Sequence, residues 1–219
     1  MTRAVVFAGP SIDAATVTEL APVEVRPPVK RGDIDLLLAE PEPPTHIGII
    51  DGQFLQQLMI SPKEVLRAID RHPEPVRVFG SSSMGALRAA ELVHEGMVGV
   101  GQVFELYRSG AINADDEVAV TFDTDSQRAL CEPMVNIRVA IAAAVDRGVI
   151  SPGSAETLLA GAKGLYFPDR TYARILRLPG VREAVGEPEL VALRDFLDTD
   201  APDAKREDAI ALLRRMDLR

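Results

Sequence analysis

Three consecutive serines lie where an apolar segment meets a helix-forming one, in the stretch "RVFGSSSMGALRAAEL" that begins at residue 77. A serine hydroxyl is a weak nucleophile until a nearby base removes its proton, and the oxyanion that forms on its substrate needs N–H donors. A tight turn from a strand into a helix supplies such donors, because the first N–H groups of a helix have no partner within it. The stretch therefore predicts a serine nucleophile or, in the alternative, serines that only cap the helix.

Among the three serines, we identify Ser83 as the candidate nucleophile. Its surroundings, S-x-S-x-G, differ by one residue from the G-x-S-x-G turn of serine hydrolases. Gly85 allows the backbone to approach closely at the start of the helix. We expect Ser81 to be the N-cap residue of that helix, and Ser82 to line the pocket or to be structural.

The base for this serine is predicted to be a lysine. Lys63 is the second residue of a helix that begins with Ser61 as N-cap, Pro62 at its first position and Glu64 in a capping box. A helix N-terminus disfavours a positive charge, and the apolar face beside the lysine predicts partial burial. Both effects favour the neutral amine that a base must be. The alternative is an ordinary solvated lysine.

The three histidines fit the role of the base less well. His94 lies eleven residues after Ser83, which is about 16 Å along a regular helix. His46 precedes a predicted strand and His72 lies in a predicted turn. No Ser–His–Asp spacing is apparent, so the sequence does not predict a serine–histidine pair.

Several other polar residues could have either a functional or a purely structural role. Asp51 and Gly52 follow a predicted strand, at the edge where α/β proteins bind ligands, so a pocket role competes with a simple turn. Arg88 lies three residues before Glu91 on the helix that follows the serines, which predicts an ion pair. The three acids that start at Asp115 indicate a turn, and no histidine–carboxylate spacing predicts a metal site.

Strands that alternate with helices must position these residues. Apolar runs at 5–8, 23–29, 47–50 and 76–79 predict strands, and 115–123 predicts an edge strand or hairpin arm. From about residue 135 only helical periods remain. We therefore expect an α/β protein with a mostly parallel central sheet flanked by helices and a helical C-terminal part packed on it. The predicted domains are an α/β core over 1–125 and a helical part over 126–219, packed as one unit.

Composition excludes several classes of protein. The chain has 219 residues and a net charge of −9, which argues against nucleic acid as the main partner. A single cysteine, Cys131, excludes an intrachain disulfide. No apolar run approaches the roughly 20 residues of a membrane span, and the N-terminus is typical of a first strand rather than a secretion signal. We expect a cytoplasmic protein that does not bind membranes.

Several segments resemble one known family in order and spacing. They are "VVFAGPS", "IGIIDGQF", "KEVL", "GSSSMGALRAAEL", "GMVGVGQVFELYRSGAINADDEVAV" and "EPMVNIRVAI". Over about residues 4–145, the chain resembles the TfuA-like proteins, which work beside YcaO enzymes. The shorter segment "SSMGA" also resembles the nucleophile turn of Clp-type serine peptidases.

The resemblance implies a hydrolase-like site with a Ser–Lys pair, here Ser83 and Lys63. The site would cleave the C-terminal thiocarboxylate of a small ubiquitin-like (ThiS-like) sulfur carrier and release sulfide for YcaO-dependent peptide backbone thioamidation. We expect no cofactor and no metal. One departure is that the family commonly has an aromatic residue and a histidine before this lysine, where the present chain has Ser61 and Pro62.

The rest of the site is assigned by the needs of this chemistry. The N–H of Met84 would hold the oxyanion, with an amide from the loop at Ser11 or from the turn at Asp51 and Gly52. Arg88 would contact the acidic tail of the carrier.

Two rival functions remain open. The chain is a non-catalytic adaptor that binds YcaO and its peptide, or it is a serine peptidase or esterase of another substrate class. Homo-oligomerisation is also left open.

Overall fold

A computed structural model describes residues 2–71 and 73–218, so the prediction for His72 lies outside the described residues. Within these ranges one five-stranded sheet is formed, with the strand order β2-β1-β3-β4-β5. Every neighbouring pair of strands is parallel. The strands are β1 (Ala4–Phe7), β2 (Glu24–Arg26), β3 (His46–Ile49), β4 (Arg77–Gly80) and β5 (Val98–Gly99).

Helices connect the strands and make up nearly all of the regular structure after β5. The first five are α1 (Ala14–Leu20), α2 (Asp33–Leu38), α3 (Pro62–Ile69), α4 (Met84–Leu92) and α5 (Gln102–Arg108). They are followed by α6 (Met134–Asp146), α7 (Pro152–Gly164), α8 (Tyr172–Ile175), α9 (Pro179–Ala184), α10 (Glu187–Thr199) and α11 (Ala204–Arg215). The predicted α/β fold, with a parallel sheet, flanking helices and a helical C-terminal part, is confirmed. None of the helices in the described ranges has the length and apolar character needed to span a membrane.

The sheet is buried on both faces, as expected for parallel strands that are covered by helices. Val5, Val6 and Phe7 of β1 are at most 1% exposed. In the register of the sheet, Val6 lies opposite Gly48 of β3. A side chain at Gly48 would come within 3.0 Å of Leu212, so α11 packs directly against this part of the sheet.

The contact pattern divides the chain into two compact units. The first contains Met1–Asp115 and Lys205–Arg219, and the second contains Asp116–Ala204. The sequence prediction placed the division at residue 125 and kept 126–219 together, whereas the last helix groups with the sheet. The physical reason is apolar packing: Leu212 and Leu213 of α11, and Met216 just after it, share a core with β1.

The second unit is helical and has a core of its own. Met134, Leu158 and Leu193, from three different helices, are completely buried in it. The segment 115–123 was predicted as an edge strand or hairpin arm; it is not an edge strand, and only residues 121–123 pair as a short antiparallel hairpin arm. Asp115–Glu117 form a 3-10 turn, and the following residues make only one isolated antiparallel bridge, from Phe122 to Ala129. The turn places Glu117 in a buried position, where its carboxylate binds the Arg138 side chain.

β5 was not predicted from the sequence. It is only two residues long and contains a glycine, so it lacks the apolar run on which strand prediction depends. It pairs with the end of β4, at Phe79 and Gly80. It therefore extends the sheet next to the three serines.

Candidate functional site

The three serines form a buried turn at the carboxyl end of β4, and residues 80–85 are called the serine turn below. Ser81, Ser82 and Ser83 are at most 2% exposed. Ser82 has a φ of 62°, a left-handed conformation that non-glycine residues rarely adopt. Such strain costs on the order of 1–3 kcal/mol and is concentrated at functional sites. The turn is thus as sharp as a nucleophile turn between a strand and a helix requires.

Ser83, rather than Ser81, is the N-cap residue of α4, so the expected cap at Ser81 is wrong. Ser81 still belongs to the sheet register, because its N–H donates to the carbonyl of Ile49 over 3.1 Å. The Ser83 side chain makes no capping hydrogen bond. The reading in which the serines merely cap the helix therefore does not account for the Ser83 hydroxyl.

The N–H groups in the first turn of α4 differ in whether they have a hydrogen-bond acceptor. Gly85 donates to the carbonyl of Ile50 over 3.4 Å, and Ala86 donates to the carbonyl of Ser81 over 3.0 Å. For the Met84 N–H, no acceptor is found within the part of the chain that the structure describes. Met84 follows the candidate nucleophile directly, which is the position of an oxyanion donor in serine hydrolases.

Close packing of glycines holds the serine turn against the sheet. A Cβ at Gly85 would lie 1.7 Å from the carbonyl oxygen of Ile49, and one at Gly80 would lie 2.2 Å from the carbonyl oxygen of Gly85. A Cβ at Gly52 would lie 2.8 Å from the Cβ of Met84. These positions admit only glycine, so the start of α4 rests on the ends of β3 and β4.

Asp51 ties the loop after β1 to the same edge of the sheet. Its Oδ2 accepts hydrogen bonds from the N–H groups of Gly9, over 2.9 Å, and Ser11, over 3.0 Å. Its Oδ1 accepts from the Ser11 hydroxyl over 2.6 Å. Ser11 and Asp51 are both buried and satisfy each other. The structure thus brings Ser11, Asp51 and Gly52 to the edge that carries the serine turn, where they shape the loops.

Lys63 lies at the predicted helix start, but it is not buried. The capping box is present: the Ser61 hydroxyl accepts from the Lys63 N–H over 3.2 Å, and Glu64 accepts from the Ser61 N–H over 3.3 Å. Glu64 also accepts from the N–H of Gly32 over 2.7 Å, which explains its burial. The Lys63 side chain is exposed, so the expected partial burial is wrong. The apolar face of α3 turns Val65 and Ala68 inward instead.

Arg88 forms the ion pair that its spacing predicted. Its Nη1 lies 2.6 Å from Oε2 of Glu91, and its Nε donates to the carbonyl of Ile60 over 3.1 Å. Arg88 is buried while Glu91 is exposed. These bonds fix the second turn of α4 to the segment before α3, and a role for Arg88 in binding a partner stays a prediction.

Sequence reasoning missed two residues of α11 that reach this region. The Ser82 hydroxyl donates to the main-chain carbonyl of Lys205 over 2.6 Å, and Lys205 is only 3% exposed. The Asp208 carboxylate accepts from the N–H groups of Gln102, over 2.8 Å, and Val103, over 2.7 Å, at the start of α5. Lys205 is the second residue of its helix, so the argument that selected Lys63 would also have selected Lys205.

Burial raises the pKa of Asp208 from 3.8 to about 6, although the two backbone hydrogen bonds oppose the change. The carboxylate fits above Gly101, where a Cβ would lie 2.1 Å from the Asp208 Cγ. Gly101 also has a φ of 96°, which favours glycine. No group of metal-ligating side chains occurs among the described residues, so this carboxylate is a helix cap in its present surroundings.

The chain was compared with known proteins at the level of families and of individual sequences. A family model described as "TfuA-like protein" matches residues 51–171, which is more than half of the chain. A comparison with curated proteins gives no match. The matched range contains Asp51, Lys63 and the serine turn, whereas Lys205 and Asp208 lie beyond it.

Proposed function

We propose that this chain, which belongs to the TfuA-like protein family, is a hydrolase that delivers sulfide. Its substrate would be the C-terminal thiocarboxylate of a small ubiquitin-like (ThiS-like) carrier protein, and the sulfide would serve YcaO-dependent thioamidation of a peptide backbone. The observation that carries the proposal is the serine turn. It combines a strained strand-to-helix bend, a serine whose side chain does not cap the helix, and the next N–H without an acceptor in the described structure.

The proposed reaction has two steps. The Ser83 hydroxyl attacks the thiocarboxylate carbon, and a lysine amine takes the hydroxyl proton. The oxyanion is held by the Met84 N–H at the positive end of the α4 dipole. The tetrahedral intermediate collapses, the C–S bond breaks, and the ammonium returns the proton to sulfur, which leaves as hydrosulfide. Water then hydrolyses the ester to a carboxylate and restores Ser83, with a proton released to solvent.

The family resemblance assigns the amine to Lys63. Lys63 is the second residue of α3, and its side chain is exposed.

The experiment that tests the proposal is sulfide release from a thiocarboxylated carrier protein without YcaO. We expect Ser83→Ala to reduce the rate by at least about a thousandfold, the scale seen when a serine nucleophile is removed. Ser109→Ala is the control, because Ser109 is an exposed serine at the end of α5. Wild-type protein that releases no sulfide, or a Ser83→Ala protein that matches wild type, would overturn the proposal.

One observation favours the non-catalytic adaptor as a second candidate. The serine turn is almost fully buried, and its glycine packing gives the unusual conformation a structural explanation. An adaptor would raise the affinity of YcaO for its peptide with no change in Ser83→Ala. Peptide binding by YcaO, measured with wild-type and Ser83→Ala proteins, separates this candidate from the hydrolase.

A further inference from the structure

Lys205 is buried, although a lysine side chain ends in an amine that is normally charged and exposed to water. It is 3% exposed, and lysine is almost never buried to this degree unless it is paired or functional. The residue occupies the second position of α11, where the partial positive charge of the helix end disfavours an ammonium. Burial acts in the same direction, because removing a charge from water favours the neutral form.

The serine turn is joined to this residue directly. The Ser82 hydroxyl donates to the Lys205 carbonyl over 2.6 Å, and both residues are buried. Ser82 reaches that carbonyl from a left-handed conformation. Because Ser83 follows Ser82 in the chain, the bond places the backbone of Lys205 beside the candidate nucleophile, within reach of a flexible four-carbon side chain.

Asp208 fixes the same turn of α11 from a second side. Its two hydrogen bonds to the start of α5 and its seat above Gly101 clamp α11 against the end of the sheet. The first turn of α11 is therefore held at two of its residues: Lys205 is bonded to Ser82, and Asp208, three residues later, is bonded to α5. A lysine on so rigid a support has a defined position, as a catalytic group requires.

From this geometry we propose that the Lys205 amine, rather than that of Lys63, is the proton acceptor of Ser83. The inference takes its substrate, the thiocarboxylated carrier, from the proposed function. The activation of Ser83 by Lys205 does not depend on that substrate. In the first step Nζ takes the proton of the Ser83 hydroxyl as the C–O bond forms, and gives it to sulfur as the C–S bond breaks. In the second step Nζ takes a proton from the attacking water and returns it to the Ser83 oxygen.

The test compares Lys205→Ala and Lys63→Ala with wild type in two assays. The first is sulfide release from the thiocarboxylated carrier, and the second is labelling of Ser83 by a fluorophosphonate, which needs no carrier. We expect Lys205→Ala to slow both by about 10²–10⁴-fold, the usual contribution of a general base, and Lys63→Ala to change neither. Added ethylamine should partly restore both rates in Lys205→Ala, an effect that a merely structural role would not produce.

Further variants keep the test decisive if Lys205→Ala is poorly folded. Lys205→Met keeps the length and apolar stem of the side chain, and Lys205→Arg keeps the charge but cannot accept a proton. Both should be as inactive as Lys205→Ala. Normal labelling of Ser83 in folded Lys205→Met protein, or loss of labelling in Lys63→Ala alone, would overturn the inference. If wild type labels in a Lys205-dependent way but releases no sulfide, the proposed function fails while the assignment of the base stands.

Discussion

Two regions of the molecule bury charged groups, and they do so in opposite ways. The second unit contains a group of paired acidic and basic side chains, called the charge network below. Its members are Asp116, Glu117, Arg138, Lys163 and Arg170. Lys163 lies 2.7 Å from Asp116 and 2.9 Å from Glu117, while Arg138 lies 2.9 Å from Glu117 and Arg170 2.6 Å from Asp116. Each carboxylate therefore has two cationic partners.

At the serine turn, polar side chains bond mainly to the main chain instead. Ser82 donates to a carbonyl, and Asp51 and Asp208 accept from backbone N–H groups. The pKa values of the carboxyls record the difference. Burial alone would raise the pKa of both Asp116 and Glu117, but their cationic partners outweigh it and lower it, whereas the pKa of Asp208 rises to about 6.

The comparison indicates what each region is built for. In the charge network, opposite charges compensate one another and link the 3-10 turn at Asp115–Glu117 to α6 and α7. At the serine turn, a left-handed serine, buried serine side chains and an acid with a raised pKa occur together, a combination that is typical of functional sites.

The largest effect is expected where the serine turn packs most closely. Gly85→Ala would place a Cβ 1.7 Å from the Ile49 carbonyl oxygen, and that oxygen belongs to the sheet and cannot move away. We expect the free energy of unfolding to fall by about 4 kcal/mol or more, the range of severe steric changes. Urea denaturation followed by circular dichroism measures it.

Gly153→Ala is the matched control in the second unit. A Cβ there would meet nothing within 4 Å, and the residue lies in helix α7. Because alanine is the better helix former, this protein should be as stable as wild type or more stable by up to about 1 kcal/mol. Equal losses in the two proteins would show that the packing at Gly85 is not the cause.

The second effect depends on pH and concerns Asp208. Its pKa is higher in the folded protein than its ordinary 3.8, so folding favours the protonated form. The stability that this group contributes is fully present below about pH 4 and is lost as the pH rises through about 6. With a shift of about two units, the loss is about 3 kcal/mol.

The measurement is the free energy of unfolding of wild type minus that of Asp208→Asn, between pH 3.5 and 7.5. Taking the difference removes the contributions of the charge network, which run the other way. The value should fall as the pH rises from 4 to 6. Asp198→Asn, at an exposed carboxylate of α10, is the control for the loss of one carboxylate from the surface. A constant difference for Asp208→Asn would refute the raised pKa.

The fold could be predicted from local patterns, while the site could be predicted only in part. The capping box at Ser61 and Glu64 and the start of α4 at Met84 depend on neighbouring residues, and the structure has both. The cap at Ser83 could not be predicted, because it follows from pairing between β3 and β4. Lys205 was missed because the bond that brings it to Ser82 spans 123 residues.

A smaller change in stability is expected in the charge network, where the pKa of the buried carboxyl is lowered rather than raised. Glu117→Gln keeps the shape of a side chain that is 3% exposed but removes the charge that faces Arg138 and Lys163. Loss of a buried partner is costly, but both cations are about one-third exposed and regain hydration. We expect a loss of about 2 kcal/mol in the free energy of unfolding at pH 7.

The cationic partners outweigh burial and hold the pKa of Glu117 below its usual 4.5, so this loss should shrink only as the pH falls through that lowered pKa and the wild-type carboxyl becomes protonated. Glu105→Gln, which breaks the solvent-exposed pair with Arg108, serves as the control and should be as stable as wild type. A larger loss in Glu105→Gln than in Glu117→Gln would mean that burial does not set the strength of these pairs.

The smallest effect compares the same helix cap in the two regions. The Ser61 hydroxyl accepts from the Lys63 N–H, and the Ser151 hydroxyl accepts from the Ser154 N–H, each over 3.2 Å. Ser61→Ala and Ser151→Ala should each reduce the free energy of unfolding by about 1 kcal/mol, the usual value of such a cap. Because Lys63 is the second residue of α3, directly after this cap, only Ser61→Ala would disturb a base at that position. If Lys205 is the base, sulfide release at equal folded concentration is the same for both proteins. A loss of release in Ser61→Ala alone would return the catalytic role to Lys63.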